Sequence, residues 1–343
     1  MNNQNILEKI LGKTIAIVYA FEGEKAPGFK HYHIWKSDVI SEWLKAVQNL
    51  KGRPFILDVR TFVEKAMSNT LPHIDYVINL NCGSCELSPM GLVPSICGFL
   101  GISCIPCDTT SIIVGENKLI SNFIAEANGL NVPPNLSYDD KKGIYRPLNF
   151  GSSYGVKKVT YIDSSKNGIY QKFINGYDIT TPFIYNPVTQ NMDPLPTIIY
   201  LSHNDDKEWF FDEKAKINKS GYERAIIAKL QQELVIKFQK LIESLSIKTF
   251  CRIDARIQCK TNEKIENIKD YELRENNTYF IEINPMPTIK EGNSFGFSYN
   301  AISKEYPIYP FIELLKNELD VDSMYCLLLA SSILSYSNSK ATS

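Results

Sequence analysis

The chain has 343 residues, 44% of them hydrophobic and 11% aromatic, with 37 Lys plus Arg against 38 Asp plus Glu. That composition is globular and excludes a disordered, collagen-like or coiled-coil chain, and the length predicts two or three domains. A formal charge of −1 provides no global field to gather nucleic acid or an anionic membrane, so an anionic ligand has to be held by local groups.

No stretch approaches the roughly 18 consecutive apolar residues of a membrane span, so neither a membrane nor a nucleic-acid partner is expected. Glu8 and Lys9 interrupt the N-terminal segment before any apolar run, which predicts no secretory signal. Eight cysteines are too few for a disulfide scaffold in a chain of this size, and the expected compartment is a reducing cytoplasm.

In chain order, Thr14–Ala20, Pro54–Val59 and Tyr76–Leu80 read as short buried strands. They alternate with helical patterns at Ser37–Leu50 and Met90–Leu100, which predicts a mostly parallel α/β sheet. Ligands of such sheets sit beyond the carboxyl ends of the strands, here Phe21–Gly28, Asn81–Ser88 and Ile105–Ser111. Glu22 and Glu86 fall in two of those ends and are candidate substrate-binding residues.

Lys118–Asn128 reads as a helix, followed by strands at Gly143–Leu148, Val156–Ile162 and Tyr170–Ile174. A helix is predicted over Gly221–Leu245, with Ile226, Leu230, Leu234, Phe238, Leu241 and Leu245 as its apolar stripe. Strands follow at Phe250–Ile257 and Tyr279–Asn284, around a charged insert, Lys260–Asn277, that reads as a solvent loop. The Ser/Asn-rich residues from Ser335 are expected to fray.

The last two strands carry the strongest chemical signal. Strict alternation puts Arg252, Asp254 and Arg256 on one face, and Phe280, Glu282 and Asn284 on one face of the partner. Paired as an antiparallel hairpin, they collect Asp254, Glu282 and Asn284, oxygen ligands suited to Mg²⁺ or Mn²⁺ bridging to phosphates; the other reading is a merely wet polar face. A second signal is Asn149-Phe-Gly-Ser-Ser-Tyr-Gly155, whose glycines and serines suit close approach to a phosphate, with Arg146, Lys157 and Lys158 beside it. The same segment reads equally as a hairpin turn. It also matches G-x-S-x-G, which would make Ser153 a hydrolase nucleophile with His203 as the one histidine that follows. Finally, Cys82, Cys85, Cys104 and Cys107 form two C-x-x-C pairs at a spacing that fits structural Zn²⁺; small buried hydrophobes are the other reading.

In this order these segments resemble the ATP-grasp enzymes, and most closely the D-alanine–D-alanine ligase group. Arg146-Pro-Leu-Asn-Phe-Gly-Ser-Ser-Tyr-Gly-Val156 is similar to that family's flap, and Gln171-Lys-Phe-Ile-Asn-Gly-Tyr-Asp-Ile-Thr180 to its hinge. Cys251-Arg-Ile-Asp254 and Ile281-Glu-Ile-Asn-Pro285 are similar to its metal strands, and Asn117-Lys118 to its entry helix. The resemblance implies an α/β chain, α+β in the ATP-grasp part: an N-terminal parallel α/β domain over 1–110 followed by a two-lobed ATP-grasp fold. The lobes would span 111–182, with the flap, and 183–334, with the metal site, leaving 335–343 as a tail.

The resemblance also implies roles. Lys118 and Arg146 would clamp the α- and β-phosphates of ATP, with Gly151, Ser152, Ser153 and Gly155 folded over the triphosphate. Lys172, Phe173 and Ile174 would face adenine, the first two partly through backbone, Asp178 would hold the ribose, and Lys216 would approach the γ-phosphate. Asp254, Glu282 and Asn284 would hold two Mg²⁺, while Arg252 and the flap N–H groups, Ser153 and Gly155 among them, would stabilise charge on a reacting carboxylate. The implied activity is carboxylate–amine ligation through an acylphosphate, on amino acids or peptides; a homodimer is the candidate assembly, with the oligomeric state left open. An ATP-binding protein without ligase activity is the other reading.

Departures from the family pattern are few on the nucleotide side and wide on the substrate side. Arg146 stands for a lysine and Gln171 for a glutamate, while Asn81–Ser88 and Met286–Ser294 differ widely from the family's amino-acid-binding segments. Lys290, Asn293 and Ser294 are the candidates for holding a second substrate's carboxylate.

Overall fold

The structure, a computed structural model, describes residues 8–20, 37–82, 87–149, 151, 153–259, 265, 267–268, 270–305, 316–317 and 323–341. It begins with four parallel strands, β1 (Thr14–Tyr19), β2 (Arg53–Asp58), β3 (Tyr76–Leu80) and β4 (Ser103–Ile105), in spatial order β2-β1-β3-β4. Helices α1 (Ser37–Asn49), α2 (Val59–Met67) and α3 (Leu87–Leu100) make the crossovers. Alternation along β1 decides which helix covers which face. Ile15 and Ile17 pack with Trp43 and Val47 of α1, whereas Ala16 and Val18 pack with Phe62 of α2 and Val93 and Cys97 of α3. A parallel sheet buried on both faces reads as the continuous apolar runs seen in the sequence.

Two capped helices lead out of this layer. Asp108 accepts from the N–H of Ser111 to start α4 (Thr109–Glu116), and Asn117 accepts from those of Leu119 and Ile120 to start α5 (Lys118–Ala127). An antiparallel three-stranded sheet follows: β5 (Gly143–Pro147), β6 (Lys157–Val159) and β7 (Gly168–Lys172), in order β6-β5-β7. The expected strand at Val156–Ile162 is thus only three residues long, since the polar run after Val159 has no apolar face to bury.

The third sheet joins β8 (Gly176–Asn186), β9 (Asn191–Pro194), β10 (Thr197–Ser202), β11 (Tyr222–Ile227), β13 (Phe250–Gln258) and β15 (Thr278–Asn284). Its path is β11-β10-β8-β13-β15, with β9 on β8; β12 (Lys229–Leu230) pairs separately with β14 (Glu272–Leu273). Helix α6 (Glu213–Asn218) precedes β11, and α7 (Gln232–Ser244) covers one face of the sheet through Leu234, Phe238, Leu241 and Ile242. The opposite face is polar and is left open as a cavity wall.

Four expectations are corrected here. The helix predicted over Gly221–Leu245 begins only at Gln232: Ile226 lies on β11, paired with Ile198, and Leu230 on β12, because the edge of β10 offers backbone partners that override the helical spacing. The lobe boundary expected at 182/183 falls inside β8, which pairs with β13 along its length up to Ile184. The insert expected as a solvent loop contributes β14 and a 3-10 turn at Glu275–Asn277. The tail expected to fray from Ser335 is the end of helix α9 (Met324–Ala341), which follows α8 (Ser294–Glu305) in this part of the chain. Leu327, Leu328, Ile333 and Leu334 of α9 pack with α1 and β1, and serines 332, 337 and 339 return their hydroxyls to carbonyls four residues back.

Gly176 opens β8 where β13 passes very close. Its φ is +143°, and an added Cβ would stand 1.8 Å from the Ile257 carbonyl oxygen. Gly176→Ala is therefore expected to destabilise the protein by about 2 kcal/mol or more. Chemical denaturation checks this, and an unchanged midpoint and slope would contradict so close an approach.

Candidate active site

The polar face of β13 and β15 floors a cavity of about 620 Å³. Asp254 lies opposite Glu282, and Arg252 opposite Asn284, in the antiparallel register. A bulge then breaks the alternation, because Ala255 pairs with Phe280 and Ile281 is the extra residue. Phe280, expected on the polar face, therefore points into the α7 core, and Ile281 joins Glu282 in the cavity wall. Asn284 donates to Asp254 Oδ2 at 3.1 Å, and Thr180 donates to Asp254 Oδ1 at 2.8 Å. Arg252 forks onto the same carboxylate at 2.9 and 2.8 Å. Two carboxylates and a carboxamide on neighbouring strands are an all-oxygen donor set, which fits a hard divalent cation such as Mg²⁺.

Glu282 is the electrostatic centre. Lys118 Nζ is 3.5 Å and Arg146 Nη2 3.4 Å from its Oε2, and both cations are only 3% exposed. Burial alone would push the Glu282 carboxyl up, but Lys118, Arg146, Lys216 and Arg252 outweigh it and hold it to about 2. Burial lowers Lys118, Arg146 and Lys216, with Glu282 pulling each back toward its charged form. The two departures around Arg146 match each other: the guanidinium donates to Gln171 Oε1 at 3.3 Å and to the Ile281 carbonyl. Gln171 donates in turn to the Pro133 carbonyl at 3.0 Å, so a neutral amide holds the arginine.

The Gly/Ser segment joins β5 to β6 as a reversing loop. Ser153 (φ +59°) and Gly155 (φ +70°) take left-handed conformations, and Val156 N–H bonds to the Ser153 carbonyl. Gly151 and Ser153 line the cavity; Ser152 lies outside the described residues. Lys216 donates to Ser153 Oγ at 2.7 Å, and that hydroxyl donates to the Phe211 carbonyl at 3.1 Å. These partners overturn the hydrolase alternative. No described histidine lines this cavity, His203 lies in a separate cleft, and a strand follows Ser153 where a nucleophile elbow needs a helix.

Lys172, Phe173 and Ile174 also line the cavity, among the apolar side chains of Ile144, Val156 and Ile281. The N–H groups of Lys172 and Phe173 are taken by the Pro134 and Lys142 carbonyls, and Lys172 Nζ pairs with Asp140 at 3.0 Å, so neither N–H is free to face adenine. Asp178 is likewise engaged: Oδ1 accepts from Arg256 at 2.7 Å and Oδ2 from Phe211 N–H at 2.6 Å. Arg256 is buried and donates also to the carbonyls of Ile174, Gly176, Lys207 and Trp209. It ties the hinge to the loop that carries Phe211. Strand alternation could have flagged this arginine, but its five partners come from two separate segments, 174–178 and 207–209.

On the substrate side, Asn293 and Ser294 line the cavity, and Ser294 Oγ is 3.2 Å from Tyr200 OH. Lys290 does not: it is drawn onto Asp38 of α1 at 2.7 Å. Glu22 and Glu86 lie outside the described residues, as does Cys85. The zinc expectation is corrected for the rest of its ligands. Cys104 packs in the α2/α3 core, in a separate cluster from Cys107, which packs near Cys82 and donates to the Pro285 carbonyl; burial pushes both the Cys104 and Cys107 thiols up. Among the described residues no cluster of three His, Cys, Asp or Glu converges. Also among these residues, no helix is long and apolar enough to cross a membrane.

Sequence reasoning missed Glu116 and the aromatic wall of Tyr200, Phe211 and Tyr222, with Tyr200 and Phe211 stacked at 4.3 Å. Burial raises the Glu116 carboxyl from 4.5 to about 7, with Lys118 opposing and Glu282 assisting. Because the folded value is the higher one, the folded state holds the proton between these limits, and stability is lost as pH rises from 4.5 to about 7. Glu116→Gln is expected to match the parent's melting temperature below pH 4.5 and to exceed it above pH 7, which thermal scans across pH will check.

No protein-family model matches the sequence. A D-alanine–D-alanine ligase from Clostridium beijerinckii is 25% identical over 237 residues, 62% of this chain and 71% of that protein. Among solved structures, D-alanine–D-alanine ligase from Bacillus anthracis complexed with ATP superposes with a TM-score of 0.62 at 16% identity, covering 97% of this chain and 99% of that one. A D-Ala:D-Ser ligase from Enterococcus faecalis gives 0.56 at 14% identity, covering 95% and 99%. D-alanyl-alanine synthetase A from Vibrio cholerae gives 0.59 at 12%, covering 96% and 99%. The chain shares the fold of these ligases, and its sequence is similar to a D-alanine–D-alanine ligase over 62% of its length.

Proposed function

We propose that the chain is an ATP-dependent carboxylate–amine ligase, joining two amino acids or an amino acid and a peptide through an acylphosphate. The observation that carries this reading is the charge balance of the cavity. Four cations, Lys118, Arg146, Lys216 and Arg252, converge on two carboxylates, Asp254 and Glu282. The remaining positive charge suits a polyphosphate, and the apolar slot of Ile144, Val156, Phe173 and Ile281 suits a purine beside it. The relatives, which include D-Ala–D-Ala and D-Ala:D-Ser ligases, support the same class of reaction.

The roles follow from where the groups stand. Lys118 and Arg146 bind the triphosphate, and Lys216, tethered to the loop through Ser153, moves with that loop onto its terminal phosphate. When bound at Asp254, Glu282 and Asn284, Mg²⁺ supplies further charge neutralisation between the triphosphate and an approaching carboxylate. A substrate carboxylate oxygen takes the γ-phosphoryl group and ADP leaves; the second substrate's amine then forms the C–N bond as phosphate departs. Arg252 faces the negative charge of both steps, which is largest on the tetrahedral oxyanion. Water would hydrolyse the acylphosphate, so the left-handed loop at Ser153–Gly155 serves as the cover. A protein that only bound nucleotide would have little need of the Asp254, Glu282 and Asn284 set.

A panel of amino acids and dipeptides tests this by ATP-dependent phosphate release and product mass. The expected result is ADP release that requires Mg²⁺ and a condensed product lighter than its two substrates by one water. Asp254→Asn is expected to lower turnover on the order of 1,000-fold while the fold survives. Full activity in that variant would refute the metal assignment, and absence of ADP release with every pair would refute the ligase.

A further inference from the structure

We propose that Glu116 receives the ammonium group of an amino substrate, in the part of the cavity walled by Cys82, Met90 and Met286. This deepens the ligase reading and rests on it. Glu116 ends α4, and the glycine before it is pressed onto β15: a Cβ at Gly115 would meet Pro285 Cγ at 2.5 Å. That close approach delivers the Glu116 side chain to the cavity beside the residues that follow Asn284.

The other cavity carboxylates are occupied. Asp178 is held by Arg256, Asp254 by Arg252, Thr180 and Asn284, and Glu282 by Lys118 and Arg146. Glu116 alone makes no hydrogen bond or ion pair with any described residue. A half-buried carboxyl that feels Lys118 and Arg252 only at a distance and has no direct ion-pair partner, open to a cavity, is stabilised by a cation brought into contact with it by a ligand. Its high proton affinity agrees with such a missing partner. Cys82, Met90 and Met286 carry no charge, so a substrate entering here meets Glu116 as the ionisable group among the described residues of that wall. A zwitterionic amino acid would place its ammonium on Glu116 and its carboxylate toward Arg252, the direction that the acyl-transfer chemistry needs.

The test uses the full chain with ADP and Mg²⁺. Binding of D-alanine and D-valine is compared with that of propionate and 3-methylbutanoate, the same acids without the amine, by saturation-transfer NMR. The parent is expected to prefer the amino acids by about tenfold or more, and Glu116→Gln to reduce that preference to about twofold or less, with ADP affinity unchanged. In turnover, KM for the amino substrate is expected to rise about tenfold. An intact preference in Glu116→Gln overturns the proposal. So does a parent without preference, or an equal loss of ADP affinity, which would make Glu116 part of the nucleotide side. A Glu116-dependent preference without any ADP release would sustain the ammonium site and sink the ligase reading instead.

Discussion

Glu282 is a carboxylate buried under a surplus of cations, and the rest of the site is arranged around that imbalance. Removing charges from water is costly, and the cost is offset only where partners are close and well aligned. Lys118 and Arg146 are nearly inaccessible, so each leans on Glu282, and Glu282 is held ionised in return. The set does not neutralise itself. A protein that buries more positive than negative charge in an open cavity is poised for an anion, which is the basis of the triphosphate proposal.

Backbone geometry delivers these groups. The bulge between Asp254 and Ala255 sends Phe280 into the core and lets Ile281 and Glu282 both face the cavity. One residue thus adds an apolar contact beside the charged one without disturbing the α7 side of the sheet. Arg256 does for this end of β8 what Glu282 does for the cluster of Lys118 and Arg146: its carbonyl partners and Asp178 fasten the start of β8 to the segment before α6. The aromatic wall and the Ser153 loop are thereby positioned from one buried guanidinium.

The parallel N-terminal layer and the last helix belong together. Helix α9 lies between α1, β1 and β8, so the end of the chain seals the layer formed by its beginning. The same contact surface explains Lys290, whose partner Asp38 sits on α1. Among the described residues, the cavity wall beside Pro285 is by contrast thiol and thioether with one carboxyl, Glu116.

Much of this was legible in the sequence. Period-two alternation predicts that Asp254 and Asn284 share a wet face, and Gly and Ser at 151–155 predict a loop able to take left-handed backbone, because both signals are local. What depends on distant contacts was not legible. The bulge needs a partner strand to be defined, and the helical spacing of Ile226 and Leu230 yields to the edges that pair with them. The Ser-rich tail is helical because α1 and β8 cover it, and Glu116 reaches the cavity because Gly115 packs on Pro285. The sequence by itself determined which side chains carry the charge and which faces are apolar. Only the tertiary structure decided which charges meet, because burial and pairing are properties of segments brought together across the chain.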